Sequence, residues 1–283
     1  MNTSEKGSGY VIHEDRNSRR SFVRRMGLAG AGLGAFLASV DSSKAQTTDA
    51  DLIQFALNLE YLEAEFYTVA LTGKTIDQLN VGIAGTGTAG ATTGGKQVTF
   101  ITGSTLALSA AEIAANERAH VSLLRAALNN GGTVPIAKPA INLNALGSGF
   151  GSQEEFIALA RSLEDVVVSA YCSLLPVLQN KAYLAIAVRL LAAEGEHAAN
   201  LRLHAALYNV ATTAVDAADI LPPPSGTQFF SADNSYGLTT VRTPGQVLYA
   251  AYGQQANQTS GGFFPAGTNG IFNASSSAAT PLL

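Results

Sequence analysis

The chain has 283 residues, of which 47% are hydrophobic, so it can form a substantial core and is not a wholly disordered protein. Only 13% of the residues are charged and the net charge is -4, which gives no basic surface for binding nucleic acid or anionic lipid. The single cysteine, Cys172, excludes an internal disulfide framework. Because it lies in an apolar helical segment, we predict a small core residue there rather than a reactive thiol.

The first 45 residues have the pattern of an export signal. Arg19 and Arg20 precede a glycine- and alanine-rich apolar segment that is too short for a stable membrane span, and residues 43–45 fit a small-x-small cleavage site. The paired arginines, followed by Phe22, resemble the twin-arginine signal, which a receptor of the export machinery reads. We therefore predict a signal peptide at 1–45 and a periplasmic or extracellular mature protein. The alternative is a basic helical tip on a cytoplasmic protein.

Four long segments have apolar residues at helical spacing. They are residues 49–71, 105–129, 152–178 and 181–210, with Pro176 expected to kink or end the third. The predicted fold class is all-α, with the helices forming one domain over about residues 46–210.

The connections between these helices differ in length and composition. Residues 73–104 are rich in glycine and threonine and are predicted to be a long loop insertion that can include a small hairpin at QVTFIT. The tight turn between the third and fourth helices makes them antiparallel neighbours. The connection 131–151 spans up to about 70 Å when extended, and a 25-residue helix is about 38 Å long. The sequence therefore permits, without requiring, a crossover along the whole bundle.

The segment 211–283 is rich in proline, glycine, serine and asparagine, with scattered aromatic residues. This composition is too aromatic for a solvated linker, so we expect an irregular C-terminal arm packed on the bundle or on a neighbouring subunit. Residues 275–283 are expected to be frayed. A bundle with an aromatic arm can dimerise, and a homo-oligomer is therefore an open alternative.

A nine-residue pattern occurs twice and carries the chemistry. Residues 117–125 read ERAHVSLLR and residues 194–202 read EGEHAANLR. Residues three apart share a helix face, so each copy places a carboxylate beside an imidazole, as Glu117 with His120 and Glu194 with His197.

A second repeat involves the other two helices. Glu60 is followed seven residues later by Tyr67, and Glu164 is followed at the same distance by Tyr171. Seven residues are two helical turns, so each tyrosine is expected above its own glutamate. One glutamate from each of two helices and a Glu-x-x-His from each of the others is the layout of di-iron and di-manganese carboxylate proteins.

These motifs resemble those of the ferritin-like superfamily over residues 49–210. The resemblance implies an antiparallel four-helix bundle and six metal ligands, which are Glu60, Glu117, His120, Glu164, Glu194 and His197. The twin-arginine start and the segments RTPGQVL and GGFFPAGTNG are similar to those of exported, desiccation-related ferritin-like proteins. The insertion and the arm are not features of storage ferritins, and they argue against assembly into a hollow shell. The sequence contains no CxxC pair, so a rubredoxin-type electron-transfer module is not expected.

Four carboxylates and two imidazoles favour two metal ions that are iron or manganese, with zinc less suited to the site. Such a centre serves redox chemistry on peroxide or dioxygen, and the most specific version is manganese-catalase-like activity in stress protection. The alternatives are ferroxidase or iron handling, and a non-catalytic protein that protects against desiccation. Tyr67 and Tyr171 are candidate catalytic residues that can bond a ligand glutamate or pass an electron; alternatively they are core aromatics.

Several other polar residues lie near the predicted ligands in the sequence. Glu63 is a candidate supplementary ligand, and Glu65 is predicted to be solvated. Arg125 and Arg202 either pair carboxylates such as Asp165 or lie at the surface. The remaining candidates are predicted to lie outside the site, with His204 packing against other residues and both Glu112 and Glu196 pointing elsewhere.

Overall fold

The computed structural model describes residues 47–281, so the predicted signal peptide at 1–45 lies outside the described residues. The five α-helices of this part of the chain are α1 (Asp49–Thr72), α2 (Thr105–Asn130), α3 (Gln153–Leu174), α4 (Lys181–Leu207) and α5 (Pro244–Ala251). Two very short strands, β1 (Thr92–Thr93) and β2 (Ile141–Asn142), complete the regular structure together with two single turns of 3-10 helix. The all-α prediction is confirmed.

The helix ends follow local rules. Thr48 caps α1 through a capping box with Asp51, and Gly73 ends the helix in the left-handed conformation with φ 69°. Pro176 has no N–H to donate, and α3 ends two residues before it and tightens into the 3-10 turn Leu175–Val177. The predicted effect of Pro176 is therefore confirmed, although the α-helix ends four residues before the predicted segment does.

Side-chain contacts show that α1 runs antiparallel to both α2 and α3. Arg118 donates to Thr68 and Arg125 donates to Tyr61, so increasing residue numbers in α1 meet decreasing numbers in α2. In the same way, Tyr67 contacts Glu164 whereas Glu60 contacts Tyr171 seven residues further along α3.

Helix α4 runs antiparallel to α2 and, after the short turn, to α3. Thr105 at the start of α2 lies 3.3 Å from His204 near the end of α4. Because α2 and α3 are both antiparallel to α1, they are parallel to each other. The connection between them must therefore return along the bundle, which is the crossover that the loop length permitted.

This crossover pairs with the loop insertion. Strands β1 and β2 form a parallel pair, and an isolated parallel bridge joins Thr86 to Ile136. The segment QVTFIT forms no strand; the Val98 N–H instead bonds the Ala70 carbonyl at the end of α1. The hairpin expected within 73–104 is therefore wrong, because QVTFIT bonds the end of α1 and earlier residues of the loop pair with the distant 131–152 connection.

The C-terminal arm packs on the bundle, as predicted. The rings of Phe272 and Phe55 meet edge to face, with their centroids 5.6 Å apart. The arm also contains α5, which was not predicted, although Thr243 and Gln246 form a capping box and Pro244 occupies the first turn. Residues 275–283 were expected to fray, but Ser275 is only 5% exposed, so the prediction is wrong for the first residue of that segment.

Buried ion pairs attach the first half of the arm to the bundle. Arg161 on α3 bonds both oxygens of Asp219 at 2.9 Å. Arg242 bonds Asp216, which also lies in the arm, at 2.6 and 2.8 Å, and it donates to Ser169 Oγ on α3 at 3.2 Å. Such pairs are costly to break because the remaining charge is left buried without a partner.

Between residues 47 and 281, none of the helices combines the length and apolar character that crossing a membrane requires.

Candidate metal centre

The structure brings the six predicted ligands into one cluster at the centre of the bundle. The four glutamates, Glu60, Glu117, Glu164 and Glu194, are fully buried, one from each helix. His120 and His197 retain 8% and 6% exposure, and their rings stack with centroids 5.9 Å apart. The amphipathic spacing of each Glu-x-x-His motif turns both of its side chains inward from one helix face.

The donor atoms form two groups of four that share two glutamates. The first group is Glu60, Glu117, His120 and Glu194, and the second is Glu117, Glu164, Glu194 and His197; the ligand atoms of each group lie within 4.8 Å of one another.

Both shared glutamates divide their oxygens between the two groups. Glu117 places Oε1 3.0 Å from His197 Nδ1 and Oε2 3.6 Å from His120 Nδ1. Glu194 does the reverse, with Oε1 3.0 Å from His120 Nδ1 and Oε2 3.4 Å from His197 Nδ1. The arrangement is that of two carboxylates suited to bridge two cations.

The two unshared glutamates are oriented by tyrosines. Tyr67 donates a hydrogen bond of 2.5 Å to Glu164 Oε1, and Tyr171 donates to Glu60 Oε1. The second oxygen of each glutamate faces the neighbouring histidine, with Glu60 Oε2 3.3 Å from His120 Nδ1. The expected bond from a tyrosine to a ligand glutamate is present, but each tyrosine bonds the glutamate of the opposite helix rather than its own. Because α1 and α3 are antiparallel, the tyrosine seven residues after each glutamate lies beside the glutamate of the other helix.

The atoms left without hydrogen bonds identify what the cluster lacks. Within the described residues, eight inward-facing atoms of the cluster have no hydrogen-bond partner. These atoms are Glu60 Oε2, both oxygens of Glu117, His120 Nδ1, Glu164 Oε2, both oxygens of Glu194 and His197 Nδ1. Buried polar atoms of this kind are normally satisfied by a hydrogen bond or a metal ion. The donor set is therefore compatible with a di-metal site.

The electrostatics of the cluster call for additional positive charge. Burial raises the pKa of Glu164 to about 8 and also raises the pKa of Glu117 and Glu194. Burial alone lowers the pKa of His197, but its contacts with three carboxylates outweigh that effect and raise the pKa to about 12. Without cations, retained protons thus supply the charge that the carboxylates need.

Glu60 differs from the other glutamates of the cluster. Burial by itself raises its pKa, but the contact with His120 and the charge of that imidazole outweigh burial and hold the pKa below its usual range. The cluster is therefore electrostatically asymmetric, although its donor atoms are arranged symmetrically.

Two further glutamates of α1, Glu63 and Glu65, are buried outside the two ligand groups. Glu63 is fully buried but belongs to neither ligand group, and burial together with the cluster's negative charge raises its pKa well above the usual range. Glu65 is also fully buried, so its predicted exposure is wrong. It accepts a hydrogen bond from Ile76 N and pairs with Lys138 Nζ at 3.3 Å.

The two arginines of the repeated motif have unlike roles. Arg202 is fully buried and bonds Asp165 at 2.7 Å, as one of the two interpretations expected. Arg125 bonds Tyr61 and the Ala84 carbonyl oxygen instead, so it ties the loop insertion to α1. It pairs with no carboxylate in the part of the chain that the structure describes.

The remaining polar candidates lie outside the cluster, as predicted. His204 is buried and bonds the Asn200 carbonyl, and Glu112 and Glu196 are exposed. Cys172 is partly buried, and burial raises the pKa of its thiol to about 11, which disfavours the reactive thiolate.

Asn116 was missed by the sequence reasoning. Its side-chain nitrogen lies 3.3 Å from His197 Nε2, on the far side of the ring from the ligand cluster. A polar residue adjacent to Glu117 was the available signal, but its contact with a different helix could not be read from spacing.

Comparison with known proteins agrees with this geometry. No individual curated protein shows significant similarity to the chain. The model of a family described as a ferritin-like domain matches residues 48–208, which include all four bundle helices. The antiparallel bundle, the crossover and the buried glutamates and histidines are all contained in the matched region. The chain therefore belongs to the ferritin-like domain family.

Proposed function

We propose that the centre binds two iron or manganese ions and performs redox chemistry on peroxide or dioxygen, with manganese-catalase-like disproportionation of hydrogen peroxide as its specific form. The supporting observation is the division of the Glu117 and Glu194 oxygens between the two histidines. Carboxylate and imidazole donors suit both metals, and shared carboxylates keep two cations adjacent.

Each residue of the cluster has a defined task in this proposal. Glu60 with His120 would complete one metal position, and Glu164 with His197 would complete the other. The bonds from Tyr171 and Tyr67 hold the two unshared carboxylates with one oxygen directed inward. A preorganised donor set of this kind loses little free energy to rearrangement when a cation binds.

Two ions bound at such a site supply electrons and open positions for an oxygen species. The protein's own contribution is to exclude bulk water, since all four glutamates are fully buried. Glu164, whose pKa burial raises to about 8 in the metal-free chain, would release its proton when its carboxylate binds a cation.

Metal analysis tests the centre directly. Protein purified from its native compartment is expected to contain close to two metal ions per chain, as iron or manganese. A chain that carries neither metal would contradict the redox proposal and favour the alternative of a non-catalytic protective protein.

Oxygen evolution after addition of peroxide tests the reaction. The wild type is expected to evolve oxygen, and the double variant Glu117→Ala/Glu194→Ala is expected to lose this activity because both metal positions lose ligands. Glu196→Ala is the matched control, since Glu196 lies on α4 but is exposed. Oxidation of added Fe(II) without oxygen evolution from peroxide would instead support ferroxidase or iron handling.

We also propose that the twin-arginine machinery exports the protein to the periplasm or beyond, where it contributes to protection against stress. The support is the pair Arg19 and Arg20 before the apolar segment. Fractionation of cells that express Arg19→Lys/Arg20→Lys is expected to show retention of the precursor in the cytoplasm. Unchanged export of this variant would contradict the proposal.

A further inference from the structure

A cavity of about 480 Å³ lies beside the ligand cluster, between α1, α3 and the C-terminal arm with its helix α5. Its size is within the usual range of small-molecule binding sites. Its deep walls are buried aliphatic side chains, and they include Leu59, Leu62, Leu163, Val166, Val167 and Val247. Exposed residues of the surrounding loops, such as Leu146 and Gln254, form its outer part. The cavity is thus largely apolar, with Ser148, Ser162, Thr213 and Gln254 as neutral polar lining residues, and it adjoins solvent.

Among the described residues that line this cavity, Glu63 alone is ionisable. Its side chain is fully buried, and within the described residues neither of its carboxyl oxygens has a hydrogen-bond partner. The carboxyl group also interacts electrostatically with all four ligand glutamates. Glu63 therefore lies between the cavity and the metal centre, and it is a polar group that lacks the partner its burial calls for.

We propose that this cavity binds an uncharged aliphatic molecule with one hydrogen-bonding end group, whose chain contacts the leucines and valines and whose end group bonds Glu63. The class includes medium-chain alcohols. This binding site is distinct from the metal positions, and it extends beyond the redox function proposed for them.

The walls of the cavity determine which molecules it selects. Aliphatic walls favour a hydrocarbon chain, because each methylene removed from water contributes to binding. An anionic end group would lose its hydration without gaining a cationic partner, since the described lining residues include no Lys, Arg or His, and is therefore disfavoured. A hydroxyl group can satisfy the Glu63 carboxyl and carries no charge into the apolar site.

Titration calorimetry of the full chain with hexanol, heptanol and octanol tests the proposal. We expect one saturable site and an affinity that rises about fourfold with each added methylene. The absence of saturable binding by octanol would overturn the proposal.

Two substitutions that fill the cavity locate the site. Ala158→Phe on α3 and Ala250→Phe on α5 enlarge lining residues that are only half-buried, and each is expected to weaken octanol binding at least tenfold. Ala111→Phe is the matched control on an exposed position of α2, outside the lining, and should bind octanol like the wild type. Equal binding by all three variants would overturn the assignment.

A measurement without substitution avoids any dependence on variant folding. Nuclear Overhauser contacts between octanol protons and the methyl groups of Leu163 and Val166 are expected. Contacts confined to methyl groups elsewhere in the protein would contradict the proposal.

The role of Glu63 is tested with octanol and octane, which differ only in the hydroxyl group. Glu63→Leu is expected to lower octanol affinity about fivefold to tenfold, because the hydroxyl loses its partner. Octane has no hydrogen-bonding atom, so its affinity, measured by competition with octanol, should not fall in this variant. An equal effect on both ligands would overturn the role of Glu63. Octanol binding is measured without turnover, so a failure to bind octanol does not affect the redox proposal. In the same way, a chain that binds no metal does not contradict the binding of octanol in the cavity.

Discussion

Glu117 and Glu194, on α2 and α4, each direct one oxygen toward His120 and the other toward His197. These two carboxylates belong to both ligand groups, whereas Glu60 and Glu164 each belong to one group. The structure thus divides the six candidate ligands into a shared pair and two unshared sets, and this division predicts unequal effects of substitution.

Substitution of a shared glutamate should affect metal content more than substitution of an unshared one. Glu117→Ala removes one oxygen from each group, so both metals are expected to be lost or strongly reduced. Glu60→Ala leaves the donor set of the second group intact, and roughly one metal ion per chain should remain. Elemental analysis of the two purified variants provides the measurement, and equal metal contents would contradict the shared role.

The hydroxyl groups of the two tyrosines should contribute to metal affinity. Tyr67→Phe removes the hydrogen bond that orients Glu164, and a loss of this kind typically weakens metal binding about 10- to 100-fold. Competition with a chelator measures the affinity. Tyr61→Phe is the matched control, since Tyr61 is also buried on α1 but bonds Arg125 and the Ile136 carbonyl oxygen. A similar loss in the control would show a general packing effect.

The buried pair Arg202–Asp165 should contribute strongly to stability. Arg202→Met leaves Asp165 with the longer contact to Arg161, at 3.3 Å, and removes the bond from Arg202 to the Phe229 carbonyl oxygen. Loss of one partner of a buried pair typically costs about 3–5 kcal/mol in the free energy of unfolding. Denaturant unfolding measures this value. Arg189→Met, at an exposed position of the same helix, should change it little, and equal effects would refute the importance of the pair.

The metal-free protein should lose stability as the pH rises from about 5 to 9. The pKa of Glu164 is raised from 4.5 to about 8 and that of His197 from 6.5 to about 12, so the folded chain binds more protons than the unfolded chain over these intervals. Each extra proton makes the free energy of unfolding fall by about 1.4 kcal/mol per pH unit.

Bound metal should reverse this trend, because the ligands bind a cation in their deprotonated forms. Calorimetric melting of metal-free and metal-loaded protein at several pH values gives the comparison. The stabilisation by metal is expected to increase with pH over the same interval. A metal-free protein whose melting temperature rises from pH 5 to pH 9 would contradict the assigned proton binding.

The helices and the candidate ligands could be predicted because both depend on short spacings. Apolar residues at three- and four-residue steps located four helices, and the predicted starts of α1, α2 and α4 agree with the structure. The spacing of Glu117 from His120 and of Glu194 from His197 determined that each pair shares a helix face, whatever the fold around it.

The burial of Glu63 and Glu65 depended on tertiary structure. Nearly every residue from Leu52 to Ala70 is buried, because α2, α3, the loops and the arm cover α1 on all sides. The amphipathic pattern of a helix reports how polar its own faces are. It does not report that Lys138, from a distant connection, will pair with a glutamate on the outer face.

The sequence by itself thus determined which side chains each helix presents, since helical geometry acts over a few residues. Only the tertiary structure decided which oxygen faces which histidine, that Tyr171 orients Glu60 while Tyr67 orients Glu164, and that a cavity lies beside Glu63. These features depend on helix direction and on contacts between residues about 100 positions apart. The physical reason is that packing of the whole chain sets such contacts, and local spacing does not encode them.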